Sequence, residues 1–128
     1  MTRLWIVAAA VSGLLAVAAG AAASHLLVGD AHRFAVMSSA SNYGLIHALA
    51  LLAVAALGGR AGILAERVLA AAGWLFLAGT LFFSGSLYLL ALTGDPLYGR
   101  PVPYGGTAFM LGWAMLGVYG LISRPRKP

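Results

Sequence analysis

The sequence predicts an all-α protein, an integral membrane bundle of four transmembrane helices forming a single domain over residues 1–128. Three observations carry this expectation. Hydrophobic residues make up 62% of the chain and charged residues only 9%, whereas an average soluble domain carries about 25% charged residues. The stretch Ala71–Gly94 runs for twenty-four residues without a charge; as a helix it rises roughly 36 Å, enough to cross a hydrocarbon core of about 30 Å with some tilt. Finally, all three acids, Asp30, Glu66 and Asp95, fall between the apolar stretches. Four helices of about 20 residues use roughly 80 positions, which leaves short loops and no room for a soluble domain.

The first helix is expected over residues 4–27, after Arg3, with an interior of Ala, Val, Leu and Gly. A signal peptide competes, because Ala21-Ala22-Ala23 before Ser24 resembles a small-residue cleavage site. The apolar run exceeds the usual signal core of about 7–15 residues, so a retained membrane helix is the preferred reading. A polar link, Gly29 to Arg33, leads to the second helix, expected over residues 38–58. Its apolar part, Ala48 to Leu57, is too short to span alone, so Ser41, Asn42, Tyr43 and His47 enter the membrane. Polar groups at that depth are costly against lipid and are expected to face partner helices or a wet cavity.

The third helix is expected over residues 68–93, with Trp74 and Tyr88 flanking Gly79 and Gly85. Small residues let membrane helices approach closely, and aromatics favour the membrane interfaces. The connection from Gly94 to Pro103 is rich in Pro and Gly and cannot be helical throughout. The fourth helix is expected over residues 105–122. With four crossings both termini share a side. That side holds Arg3, Arg60, Arg67, Arg124, Arg126 and Lys127, against Arg33 and Arg100 on the other. The positive-inside rule then predicts a multi-pass membrane protein with both termini cytoplasmic.

Composition also excludes function classes. The net charge of +5 invites nucleic acid as a partner, but the bases sit at helix ends rather than on one face, and that partner is set aside. There is no cysteine, hence no thiolate metal site or thiol nucleophile. No carboxylate, lysine or arginine lies within an expected span, which disfavours proton-coupled pumping. A polar set gathers toward the outer half of the bundle: Ser24, His25, Asn42, Tyr43, His47, Ser84, Ser86, Tyr88 and Thr107. As a candidate cluster or ligand site it reduces to His25, Asn42, Tyr43, His47, Ser84, Ser86 and Tyr88. It can serve as a small-molecule pocket or as interhelical hydrogen-bond glue, and glue is preferred because hydroxyls and small residues are the usual packing vocabulary of membrane bundles. His25 and His47 alone, without supporting carboxylate or thiolate, are a weak basis for haem or metal. No cofactor or metal is expected.

Several blocks resemble the small membrane proteins of domain-of-unknown-function family 423. The run from Ala72 to Gly94 matches the family's third-helix block almost throughout. Tyr43 with His47 to Leu52 matches its second-helix block. Pro103, Gly105, Gly106, Phe109, Gly112 and Trp113 match the opening of its fourth helix, and Gly20 and His25 match the first. Asn42 and Gly44 stand where the family often carries glutamines, and Val102 where a threonine is usual. The resemblance implies a small multi-pass protein of the bacterial inner (plasma) membrane and brings no activity with it.

The expected function is non-enzymatic: a structural or accessory component in the lipid bilayer, packing as a homo-oligomer or within a larger membrane complex. The alternative is a carrier or channel for a small neutral solute, and a third reading is a haem- or metal-binding subunit resting on His25 and His47.

Overall fold

The computed structural model describes residues 1–123. Among them the ordered elements are all helical: α1 (Thr2–Leu26), α2 (Ala31–Leu57), α3 (Ile63–Gly79), a π-helical segment (Thr80–Gly85), α4 (Ser86–Thr93), a 3-10 turn (Pro96–Gly99) and α5 (Val102–Ile122). Four helical spans are long and apolar enough to cross a membrane: Thr2–Leu26, Ala31–Leu57, Ile63–Thr93 and Pro96–Ile122. The four expected crossings are present. Arg124, Arg126 and Lys127, which enter the charge argument, lie outside the described residues.

Several helix ends differ from expectation, each for a local reason. Helix α2 starts at Ala31 rather than near residue 38 because the Asp30 carboxylate caps it, accepting the Arg33 backbone N–H at 3.0 Å. The third crossing starts at Ile63 rather than residue 68. Glu66 in its first turn accepts the N–H groups of Gly59, Arg60 and Ala61 at 2.9, 3.1 and 3.0 Å, folding the loop onto the positive end of the helix. Helix α5 starts at Val102, with Pro103 in the first turn, where its missing N–H has no intrahelical partner to lose. Gly94 ends α4 with φ +74, a left-handed conformation that only glycine adopts cheaply, and its N–H returns to the Leu90 carbonyl at 2.8 Å.

Helix α2 and the third crossing form the middle of the bundle; α1 lies along α2 and α5 along the third crossing. The larger apolar core joins Trp5, Leu51, Val54, Leu69, Phe76 and Phe109, and a smaller one joins Ala19, Ala23, Leu27, Met37 and Ala91 at the end away from the termini. Ala23, the last residue of the cleavage-like triplet, is thus packed within a continuous helix.

Close approach in this core is made by glycines. The ring of Phe109 on α5 sits against Gly79 on α3, where an added Cβ would lie 2.3 Å from Cδ1. Reciprocally, the ring of Phe76 on α3 sits against Gly112 on α5, with a Cβ there 2.7 Å from Cδ1. Both pairs derive from the same spacing, Phe76-x-x-Gly79 and Phe109-x-x-Gly112, which places ring and seat one turn apart on one helix face. A turn further, Gly105 meets the backbone of the π segment, with a Cβ position 2.3 Å from the Phe83 nitrogen. Trp5 reaches across from α1 to Gly73 in the same manner and packs edge-on against Trp74 at 5.2 Å.

Gly112→Ala and Gly105→Ala should each destabilise the bundle by about 1–3 kcal/mol, the usual range for overpacking a tight core. Gly117→Ala and Gly120→Ala, at positions with nothing within 4 Å, should be neutral or mildly stabilising. Unfolding in mixed micelles, followed by tryptophan fluorescence, measures both.

Candidate functional site

The antiparallel seating of α3 against α5 sets up an aromatic column into which α2 inserts His47. The imidazole, 3% exposed, stacks on the Phe109 ring at a centroid separation of 3.4 Å and 9° between planes. Phe76 and Trp113 close it in from the side at 5.7 and 6.1 Å. Tyr43, one turn before His47, lies parallel to it at 6.2 Å and tilts onto Phe83 at 4.7 Å.

Both imidazole nitrogens are engaged. Nδ1–H donates to the Tyr43 carbonyl at 2.7 Å, and Nε2 accepts the indole N–H of Trp113 at 3.1 Å. A carbonyl can only accept and an indole N–H can only donate, so the two partners select a neutral ring with its proton on Nδ1. Trp113 is therefore a hydrogen-bond partner of the core, besides the packing or interface role its position suggests.

A second polar group lies one turn away, where α1, α2 and the third crossing meet. Ser41 donates to the Ala16 carbonyl at 2.7 Å, and the Tyr88 hydroxyl donates to the Ala40 carbonyl at 3.3 Å. Gly44 makes the room: an added Cβ would lie 2.7 Å from the Tyr88 hydroxyl, 3.1 Å from Ala16 Cβ and 3.6 Å from Ser84 Oγ. Ser84 is fully buried, and its Oγ is the one buried side-chain polar atom among the described residues without a partner in strict hydrogen-bond geometry. The Tyr88 hydroxyl is the polar group beside it. Ser86, also buried, opens α4 just beyond.

The π-helical turn places these groups. Thr80, its first residue, donates back to the Phe76 carbonyl at 2.9 Å, a bond that loosens the local helical ladder. The wider turn that follows rotates the remainder of the crossing, as single π turns within α-helices do. Nothing in the local sequence announces it.

The remaining sequence-derived candidates divide sharply. His25 and Ser24 are exposed in the last turns of α1, away from the buried His47 cluster, so the structure does not bring the two histidines together. Thr107 is exposed and bonded within its own helix to the Pro103 carbonyl at 2.9 Å. Asn42 is exposed on α2, contrary to the expectation that a polar side chain at this depth faces a partner helix. Tyr43 is 44% exposed despite its ring contacts. Among the described residues, no three His, Asp or Glu side chains converge as a metal site would require.

Cavities open at the two ends of the bundle. At the end away from the termini, a volume of about 500 Å³ is lined by Asp30, His32, Arg33, Val36, Leu90 and Pro96 among others. Arg33 is turned aside here, donating through Nε and Nη2 to the Ala91 and Leu92 carbonyls at 2.5 Å each. A guanidinium at the negative end of a helix satisfies carbonyls that have no intrahelical donor. At the end carrying the N-terminus, about 280 Å³ lies among Met1, Trp5, Val54, Gly58 and Glu66. The aromatic column occupies the middle of the crossings, between the segments that line the two cavities. Sequence reading did not place Arg33, Phe109 or Gly44 in the site and did not single out Phe76; the Phe-x-x-Gly spacing, shared with Phe82 and Gly85, is the partial signal for the two rings.

The chain matches the family described as protein of unknown function (DUF423) over residues 19–106. It is 40% identical over 116 residues to a UPF0382 membrane protein of Staphylococcus aureus, covering 89% of this chain and 92% of the relative. A UPF0382 membrane protein of Staphylococcus saprophyticus is 38% identical over 116 residues, covering 89% and 93%. No solved structure matches.

Nitrogen-15 spectra of the histidine-labelled protein should show His47 as the Nδ1-protonated tautomer. Trp113→Phe, which keeps a ring and removes the donor, should shift the Nε2 resonance and cost about 0.5–1.5 kcal/mol of stability. An Nε2-protonated His47 in the parent protein would contradict the assigned bonds.

Proposed function

The chain belongs to the DUF423 family of membrane proteins, and from that premise we propose that it is a non-enzymatic structural or accessory component of a bacterial inner-membrane assembly. The observation that supports this most directly is the use made of the polar interior. Ser41, His47, Tyr88 and Trp113 direct their donors and acceptors at neighbouring backbone or rings, and the glycine-seated column packs α2, α3 and α5 together. A carrier or channel needs groups free to meet a solute along a continuous path, and a ligating histidine needs a free nitrogen lone pair.

The outward faces fit the same reading. Leu14, Leu15 and Val17 on α1 and Leu49 on α2 stand more than half exposed, as expected of surfaces that meet lipid or another membrane protein. The charge distribution supports an orientation: the end that carries Arg3, Arg60 and Arg67 faces the cytoplasm under the positive-inside rule, with Arg33 and Arg100 toward the other end.

Purification of a C-terminally tagged chain from native membranes in mild detergent, with mass spectrometry and a molar-mass determination, tests the proposal. A particle holding a second copy of the chain or a stoichiometric membrane partner is the expected result. In proteoliposomes, osmotic swelling with glycerol or urea should match that of empty vesicles. A severalfold acceleration would replace the proposal with the channel reading.

A further inference from the structure

The cavity at the end away from the termini holds two opposite charges that the fold keeps apart. Asp30 and Arg33 both line its volume of about 500 Å³, which is ample for a small ligand group. Among the described residues no ion pair joins them. Each is fixed by another bond. Asp30 Oδ1 accepts the Arg33 backbone N–H as the cap of α2, which leaves Oδ2 as an acceptor. The guanidinium Nε and Nη2 are taken by the Ala91 and Leu92 carbonyls, which leaves Nη1 as a donor. Carbonyls satisfy N–H groups but carry no net charge, so the guanidinium keeps its positive charge beside a carboxylate that keeps its negative one.

The depth of the cavity suits a lipid. Counting back about twenty residues from the end of α2 at Leu57 puts the hydrocarbon boundary near residue 38, so Arg33 lies roughly 7 Å outside it, in the headgroup layer. The lining follows the same gradient. Asp30, His32 and Arg33 stand at the start of α2, with Val36 a turn further in and Leu90 and Ala91 in the last turn of α4.

We propose that this cavity seats the zwitterionic headgroup of a membrane phospholipid, its phosphate on Arg33 and His32 and its primary ammonium on Asp30. Arg33 offers a charged N–H to a phosphate oxygen, and the His32 ring offers an N–H in either tautomer. A purely anionic headgroup would satisfy Arg33 and be repelled by Asp30; a zwitterion satisfies both. A primary ammonium suits a carboxylate because it has N–H donors, whereas a quaternary one has none and is held by aromatic faces. Among the described residues no Phe, Tyr or Trp lines the cavity. Phosphoethanolamine chemistry is thereby selected over phosphocholine and phosphoglycerol. The site is independent of whether the chain joins a larger assembly.

Native mass spectrometry of the full chain in mild detergent, with equal amounts of phosphatidylethanolamine, phosphatidylcholine and phosphatidylglycerol, tests this. One phosphatidylethanolamine per chain should be retained severalfold more than either other lipid. Asp30→Asn, which keeps a capping side chain and removes the charge, should abolish the preference for phosphatidylethanolamine over phosphatidylglycerol. Arg33→Gln should lower retention of both severalfold, and Arg100→Gln, at the same end but outside the cavity, should change neither; an unchanged monodisperse elution profile verifies folding of each. Retention indifferent to headgroup, a preference that survives Asp30→Asn, or an equal loss in Arg100→Gln overturns the proposal. Soluble glycerophosphoethanolamine retained as well as the lipid overturns the lipid as its source.

Discussion

The bundle depends on two phenylalanine rings seated on two glycines. Lipid tails are as apolar as leucine, so helices in a membrane gain little from hiding hydrophobic surface and must be held by close packing. The Phe76–Gly112 and Phe109–Gly79 pairs provide that packing between α3 and α5, with ring carbons reaching positions that any Cβ would occupy. Because each helix carries its own ring and the seat for the other helix's ring three residues apart, the two contacts fix distance and register together. The tight approach of Gly105 to the backbone of the π segment extends the same register by another turn.

Much of the polar geometry is a consequence. Phe109, held by Gly79, presents a flat face on which the His47 ring lies, and Trp113, one residue beyond Gly112, is carried to the Nε2 of that ring. Tyr43 and Phe83 extend the stack toward the surface. A turn earlier on α2, glycine again makes room, with Gly44 accommodating the Tyr88 hydroxyl and Ser84, while Gly20 on α1 accommodates Ser41. The helix ends are tied separately, by Arg33 on the carbonyls that close the third crossing and by Glu66 on the amides of the loop before it. Among the described residues, the buried Ser41 and His47 and the half-buried Tyr88 direct their hydrogen bonds at the protein itself.

The four crossings were legible in the sequence because bilayer thickness imposes a length that uncharged runs such as Ala71–Gly94 meet directly. Helix starts were less so: Asp30 and Glu66 each recruit backbone amides and lengthen a helix into what composition reads as loop. Which polar residues turn inward was beyond reach of the sequence. Ser41 and Asn42 are adjacent and chemically alike, yet roughly 100° apart around the helix. Only the placement of α1 decides that Ser41 finds a carbonyl while Asn42 does not. His25 and His47 separate for the same reason, one on a helix end with open surroundings and the other beneath α5. The two glycine seats join residues thirty and thirty-six positions apart, and the Phe-x-x-Gly spacing that marks them occurs also at Phe82 and Gly85, where no ring is seated, so neither they nor the π turn has a distinctive local signature.

The most direct measurement of the central claim is the coupling between Gly79 and Phe109, from unfolding free energies of Gly79→Ala, Phe109→Leu and the double variant. If the glycine exists to seat the ring, shortening the ring relieves the strain of the added methyl. The double variant is then more stable than the sum of the two losses allows, by at least about 1 kcal/mol. Strictly additive losses would contradict the account, since Gly79 would then matter for reasons unconnected with the ring it faces.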